Sequence, residues 1–275
     1  MPTDPAAAHD SIRRLRAELD RANRAYYVDA QPTMSDTEFD RKLAELAKLE
    51  ATHPELDDPA SPTRRVGGEP IAGFRTLPHT QPMLSIDNSY SEADVQTWHE
   101  RVQGSLGADA GPASLFNAAS PPSTPVSFVC DPKVDGIAIS IRYERGLLAL
   151  ALTRGDGQKG DDVTHAVRTI RGVPLKLEGA GVPSVLELRG EIYMPVAEFE
   201  RINQEREAEG EDAFMNPRNA TAGTIKNLDP RIVSSRRLAF CAWGRGVIEM
   251  AGGSPETTFV TGYWSLLDRL RDLGI

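Results

Sequence analysis

The sequence predicts an α+β protein: a small helical N-terminal domain over residues 1–70, then a larger domain over 71–275 built on antiparallel sheets. Three observations carry this. Apolar residues near the N-terminus recur at three- and four-residue intervals, the period of a helix with one buried face. From Val126 onward the pattern changes to short runs rich in β-formers, some joined by tight turns. Helical stretches lie between those runs, yet no glycine-rich strand-to-helix loop of dinucleotide or P-loop type occurs, so a doubly wound parallel sheet is not expected.

Taken in order, Ile12, Leu15, Leu19, Ala22 and Tyr26 define the first helix, with Asp10 or Ser11 as its expected cap. The second begins at "SDTEFD", where Ser35 and Glu38 have capping-box spacing and Phe39, Leu43, Leu46 and Leu49 continue one apolar stripe. His53 and Pro54 close it. The segment "DDPASPTRRVGGEP" has no periodicity and places a domain boundary near residue 70. A third helix is expected from Ser91, with Asp94 three residues on, to Leu106, followed by a surface insertion "GADAGPASLFNAASPPSTP". Strands are expected at Val126–Asp131, Ile137–Tyr143, Leu147–Leu152, Val185–Met194 and Leu238–Val247. Helices are expected at Asp162–Ile170 and Val196–Glu209.

Composition narrows the function classes. With 275 residues, 40% of them hydrophobic, the chain can bury a real core. No run of eighteen apolar residues exists and the N-terminus lacks signal-peptide features, so a soluble cytoplasmic protein without membrane partners is expected. Cys130 and Cys241 are too few for a disulfide framework or a thiolate metal site; both are expected to be buried thiols, and no metal site is expected from the protein's own ligands. The formal net charge of -9 argues against coating nucleic acid by bulk electrostatics. Phosphate contacts would have to be local, and Asn216–Arg237 is the candidate: Arg218, Lys226, Arg231, Arg236 and Arg237 face a single acid, Asp229. On its own that segment reads equally well as a solvated basic face.

In "VCDPKVDGIAIS" one lysine, Lys133, stands between an expected buried strand and a glycine turn. A strand-end lysine that reaches to water is one reading. The other is a nucleophile, which requires desolvation or neighbouring cations because a free lysine, with a pKa of about 10.4, is protonated at neutral pH. A sheet-lined pocket would supply that environment, with the Asp135 carboxylate beside it and Gly136 allowing a tight turn.

The four residues "KVDG", Lys133 to Gly136, match the K-x-D-G signature of covalent nucleotidyltransferases. Around them stand "HTQPMLSIDNSY", "TRGDGQKGDDVTHAVRTIRGVPLKL", "LELRGEIYMP" and "NPRNATAGTIKNLDPR". In this order they resemble the adenylation region of bacterial NAD-dependent DNA ligases across nearly the whole chain. The resemblance implies a covalent nucleotidyltransferase (ATP-grasp-like) domain. It implies Lys133 as the residue that attacks the α-phosphorus of NAD, releasing nicotinamide mononucleotide (NMN), with Asp135 acting beside it. The AMP would pass to a 5′-phosphate at a nick in double-stranded DNA, with Mg2+ offsetting charge. Arg154 would contact the nucleotide, Glu191 its ribose or the metal surroundings, Ser85 and Ile86 the adenine end, and Arg218 phosphate of nucleotide or nick. Asp131 stands where the family usually has Glu, and is one methylene shorter. Lys226 stands where arginine is expected, and keeps charge without bidentate geometry; with Arg218 it forms the implied DNA contact.

Lys133 alone cannot choose between ATP and NAD. In "YYVDAQPTMSDTEFD", Asp36 and Asp40 share one helix face, where they are either ordinary N-terminal carboxylates or acceptors for the ribose hydroxyls and pyridinium of NMN. Tyr26, Tyr27 and Phe39 offer aromatic faces, Phe39 where the family often has tyrosine. The segment resembles the NMN-recognition domain of NAD-dependent ligases. The later strand and lysine segment of the family's nucleotide pocket are not in the sequence, nor are its OB, zinc, helix-hairpin-helix and BRCT modules, so nick sealing by this chain alone is not expected. A noncatalytic DNA-binding scaffold and an ATP-dependent nucleotidyltransferase are the competing readings.

Overall fold

A computed structural model describes residues 5–27, 31, 33–65, 71–108, 126–253 and 259–275. They form two compact units, one of residues 1–83 with 134–275 and the other of 84–133. The insertion expected after the third helix lies, from residue 109 to 125, outside the described residues. Among the described residues no helix is long and apolar enough to cross a membrane.

In the first unit, α1 (Pro5–Tyr27) and α2 (Asp36–Thr52) pack their stripes against each other. Ile12, Leu15, Leu19, Phe39, Leu46 and Leu49 are all buried, with Leu43 and Leu56 beside them. Lys42 bonds Glu18 at 2.8 Å across the pair. Helix α2 starts as its sequence dictates, Ser35 Oγ accepting from the Glu38 amide at 3.3 Å, and ends at His53. Helix α1 does not start at Asp10 or Ser11. It opens one and a half turns earlier at Pro5, whose fixed φ and missing N–H suit the first helical position and which leads into three alanines.

The larger part of the first unit is built on a four-stranded antiparallel sheet of order β3-β2-β5-β6: β2 Ile137–Glu144, β3 Leu147–Thr153, β5 Val185–Tyr193 and β6 Ala239–Glu249. Two short strands, β1 (Thr76–Pro78) and β4 (Lys159–Asp161), pair separately. Strand periodicity sorts the sheet's faces. Ile139, Ile141 and Tyr143 stand opposite Gly190, Leu188 and Leu186, and their side chains form the core. Burying each Ile or Leu there contributes about 1.5–3 kcal/mol. Against that core pack α4 (Thr164–Val167), α5 (Val196–Ala208), α6 (Pro217–Ile225), α7 (Pro230–Ser235) and α8 (Tyr263–Asp272), through Ala166, Ile202, Ile225, Val233 and Leu270. The helix expected over Asp162–Ile170 is only the four-residue α4 continued by turns, because Gly172 and Pro174 follow closely and Arg168–Ile170 bond at mixed spacing.

The second unit holds α3 (Glu92–Ala108), started by a complete reciprocal cap: the Asp94 amide donates to Ser91 Oγ at 3.2 Å and the Ser91 amide to Asp94 Oδ2 at 3.1 Å. Trp98 and His99 pack on Phe128. The strand expected at Val126–Asp131 is absent. Among the described residues no strand pairs with this segment, and Phe128 and Val129 stay 44% and 42% exposed, so β-propensity without a neighbouring strand leaves an open segment.

Asp20 on α1 lines a cavity of roughly 800 Å³ in the first unit, together with Asn23, Arg65 and Glu178. Burial pushes its carboxyl up to about 6, with Glu178 and Asp58 acting the same way against Arg65 and Arg16. A raised folded value means the neutral form is favoured in the fold, so its stabilisation is full below about pH 4 and is lost as pH rises through about 6. Asp20→Asn should therefore stabilise the protein at pH 7 by about 1–3 kcal/mol and leave it unchanged at pH 4. Thermal melts of both proteins at the two pH values check this.

Candidate active site

Four of the candidate residues lie around the start of β2, two of them joined by their side chains and two placed by the backbone. Gly136 precedes this strand and needs to be glycine: a Cβ there would lie 2.2 Å from the Ile192 carbonyl oxygen on β5. That close approach fixes Asp135, just before it, at the sheet's end. Asp135 Oδ1 lies 3.5 Å from Arg218 Nη1, and both side chains are at least half exposed. Arg218 projects from the first turn of α6, whose capping is done by Asn216, accepting from the Asn219 amide at 2.8 Å. The arginine is thus left to Asp135 rather than to its helix. Glu191 on β5 is half-buried and stands opposite Ala138 of β2 and Cys241 of β6. The Ala138 carbonyl accepts from the Arg154 amide at 3.1 Å.

Arg154 is exposed and opens the turn to β4. It does not pair with Asp156. That carboxylate accepts instead from the Gln158 and Lys159 amides at 2.9 and 2.8 Å, which hold it below the usual range, so the turn is shaped without using the arginine side chain. The basic segment after Asn216 is largely committed to the protein. Lys226 Nζ is 3.0 Å from Asp161 and, ahead of Thr76, lowers the pKa of that carboxyl; Arg231 pairs with Asp229; Arg236 donates to Thr224 and lies over Phe214.

In the second unit, Lys133, Asp131, Ser85 and Ile86 are all exposed, Ile86 by 72%. Lys133 follows the open segment rather than a buried strand, so the unit itself offers no sheet-lined pocket. The cysteines are also not the buried thiols expected: Cys130 is exposed because its strand does not form, and Cys241 is half-buried on β6.

In the helical pair, Tyr26 is 49% exposed at the end of α1, and Asp40 is exposed on α2. The side chains of Tyr27 and Asp36 lie outside the described residues; their backbones end α1 and begin α2. Phe39 is not the open aromatic face expected. It is only 8% exposed, and Arg171 covers its ring at 4.9 Å while reaching Asp40 Oδ1 at 3.4 Å. Phe39 belongs to the apolar stripe that holds α2 on α1, and that burial decides its orientation. Arg171, which the sequence reading passed over, thus sets a guanidinium against an aromatic ring and a carboxylate. Also missed were Glu187 and Arg189 on β5. Their spacing from Glu191 is that of one strand face, the one signal that would have marked them.

Helices before a domain of antiparallel sheets, with a K-x-D-G segment at the head of one sheet strand, define an α+β nucleotidyltransferase. Residues 71–275 match the family described as NAD-dependent DNA ligase adenylation domain, and residues 5–67 match the DNA ligase-like, N-terminal NAD+-binding domain. The chain belongs to the NAD-dependent DNA ligase adenylation-domain family. It is similar to a DNA ligase of Akkermansia muciniphila, 50% identical over 264 residues, covering 96% of this chain and 31% of that protein. It is also similar to a DNA ligase of Ectopseudomonas mendocina, 46% identical over 268 residues, covering 98% of this chain and 32% of that protein. The chain thus spans about a third of the length of the curated relatives it matches.

Proposed function

We propose that this chain is the NAD-recognising and self-adenylating part of a DNA ligase, residues 1–70 taking the NMN half of NAD and residues 71–275 forming the adenylation domain. The observation that carries this reading is the Asp135–Arg218 pair at the head of β2, with Glu191 and Arg154 on the strand and turn that bond Ala138, in a chain with both family matches. The neutral amine of Lys133 attacks the α-phosphorus of NAD. The P–N bond forms, the P–O bond to NMN breaks, and the amine loses its proton. Catalysis of such a transfer is mostly placement and charge compensation. In this reading Arg218, paired with Asp135, and Arg154, at the turn whose amide bonds Ala138, supply cations for the phosphates, and Glu191 supplies acceptors for ribose hydroxyls. Ser85, Ile86 and Asp131 belong to the adenine end in this reading, and Tyr26, Tyr27, Asp36 and Asp40 to NMN.

Among the described residues no three His, Cys, Asp or Glu side chains gather as a metal cage. Mg2+ suits the site as an ion held by pyrophosphate oxygens and water, which is its usual preference. It would add charge neutralisation at the phosphates.

The test is mass spectrometry of the full-length protein after incubation with NAD or ATP. A gain of one AMP from NAD alone, with release of NMN, supports the reading. A gain from ATP alone, or binding of nicked DNA with no adduct from either, overturns it.

DNA contact follows the same logic. A net-acidic protein must concentrate its phosphate contacts, and Arg218 is the better placed because its 3.5 Å approach to Asp135 is looser than the 3.0 Å pair of Lys226 with Asp161. Arg218→Ala is expected to slow single-turnover sealing by preadenylated full-length enzyme by about tenfold or more, and Lys226→Ala by less. Parental rates for both variants at two salt concentrations would show that the segment does not touch DNA.

A further inference from the structure

The face of β5 that carries Glu191 holds two more charges to which the sequence motifs give no role. Glu187 and Arg189 alternate with the core residues Leu186 and Leu188, and only 2% and 5% of their surfaces are exposed. Arg189 Nη2 lies 2.7 Å from Glu187 Oε1 and donates to the Gln81 carbonyl at 2.7 Å. Ser140, opposite Arg189 on β2, donates to the same Glu187 oxygen at 3.0 Å. On β6, Gly246 makes room for this carboxylate: a Cβ would stand 2.6 Å from Glu187 Oε1. Arg189 Nη1 is buried with no acceptor among the described residues.

Such a pair is a poor stabiliser. Desolvating two charges offsets most of their attraction, and the unmet Nη1 donor adds to the cost. What the pair supplies is placement. To either side of Gln81, the His79 amide donates to the Gln158 carbonyl at 2.9 Å and the Met83 amide to the Gly157 carbonyl at 2.8 Å. The His79 ring reaches the Arg154 carbonyl at 3.1 Å. Residues 79–83 therefore form a strap: its ends hold the turn that begins at Arg154, and Arg189 ties its middle to β5. Two residues beyond it the chain enters Ser85 and Ile86.

We infer that Arg189, locked in place by Glu187, is a positioning residue for nucleotide binding, fixing the 79–83 strap and with it the turn of Arg154 relative to Glu191. The inference rests on the proposed role of Glu191 and Arg154 toward NAD; Arg189 acts through the strap rather than on substrate.

Arg189→Met alone leaves Glu187 buried without its counter-charge and can unfold the protein. The informative variant is Glu187→Gln with Arg189→Met in the full-length protein, which removes both charges at nearly constant volume. Its Tm is expected to stay near that of the parent, while the KM for NAD in AMP-adduct formation rises about tenfold to hundredfold, the weight of one charge-assisted hydrogen bond, with a smaller change in kcat. Arg189→Lys, which keeps a charge able to reach the Gln81 carbonyl, is expected to fall between the two. A double variant with the parent's Tm and KM overturns the inference alone. A parent that forms no adduct from NAD overturns the site reading and this inference together.

Discussion

Lys133→Ala in the full-length protein is expected to remove the AMP adduct formed from NAD completely, whereas substitution of Lys159, Lys176 or Lys226 leaves it in place. The loss should be total because, on the proposed mechanism, the variant lacks the atom that forms the bond, not merely a group that assists it. Lys133→Arg should fail equally: a guanidinium stays protonated and cannot attack phosphorus. On the proposed mechanism the adduct is a phosphoramidate, so it should be released by acid and survive mild base. Peptide mapping after NAD treatment locates it. An adduct on Lys226, Lys159 or Lys176 would end the assignment of Lys133, and an adduct persisting in Lys133→Ala would do the same without mapping. Lys133 is exposed, so a small reagent can reach its side chain before NAD binds. The corollary is that alkylation of Lys133 by a small amine-reactive electrophile should be slowed by NAD.

The second large effect is expected at the start of α2. Asp36→Ala or Asp40→Ala should lower adenylation from NAD by about tenfold to hundredfold, as for loss of a charged hydrogen-bond partner, and leave sealing by preadenylated enzyme nearly unchanged. On the proposed mechanism NMN has departed before sealing begins, so only the first reaction would feel these carboxylates. Asp40 also lies 3.4 Å from Arg171, which covers Phe39. A purely structural Asp40 would act through that contact, and Arg171→Ala would then reproduce its loss. With Asp40 as an NMN acceptor, Arg171→Ala keeps adenylation or raises it, since a cation that occupies the aromatic face and the carboxylate competes with the pyridinium. Equal losses in adenylation and in sealing would assign both carboxylates to the fold.

The sequence by itself determined the elements whose signals are local. Ser35 starts α2 and His53 ends it, the Ser91 and Asp94 pair starts α3, and alternation in Ile137–Tyr143 and Val185–Met194 gives strands whose core faces fall where the pattern says. The order of motifs around "KVDG" was equally legible, since motif order is a property of the chain alone. Tertiary structure decided whatever depends on a neighbour distant in sequence. Val126–Asp131 has strand propensity and no strand, because a ladder needs a partner. Phe39 turned from an open ring into a covered one when α1 and Arg171 closed on it. Only the fold made a buried pair of Glu187 and Arg189 and tied Gln81, 108 residues away, to one of them. In sequence those two residues are charges on a strand. Their burial, and the strap they hold, exist only once β2, β6 and residues 79–83 surround them, because desolvation and hydrogen-bond geometry are set by contacts the linear pattern does not contain.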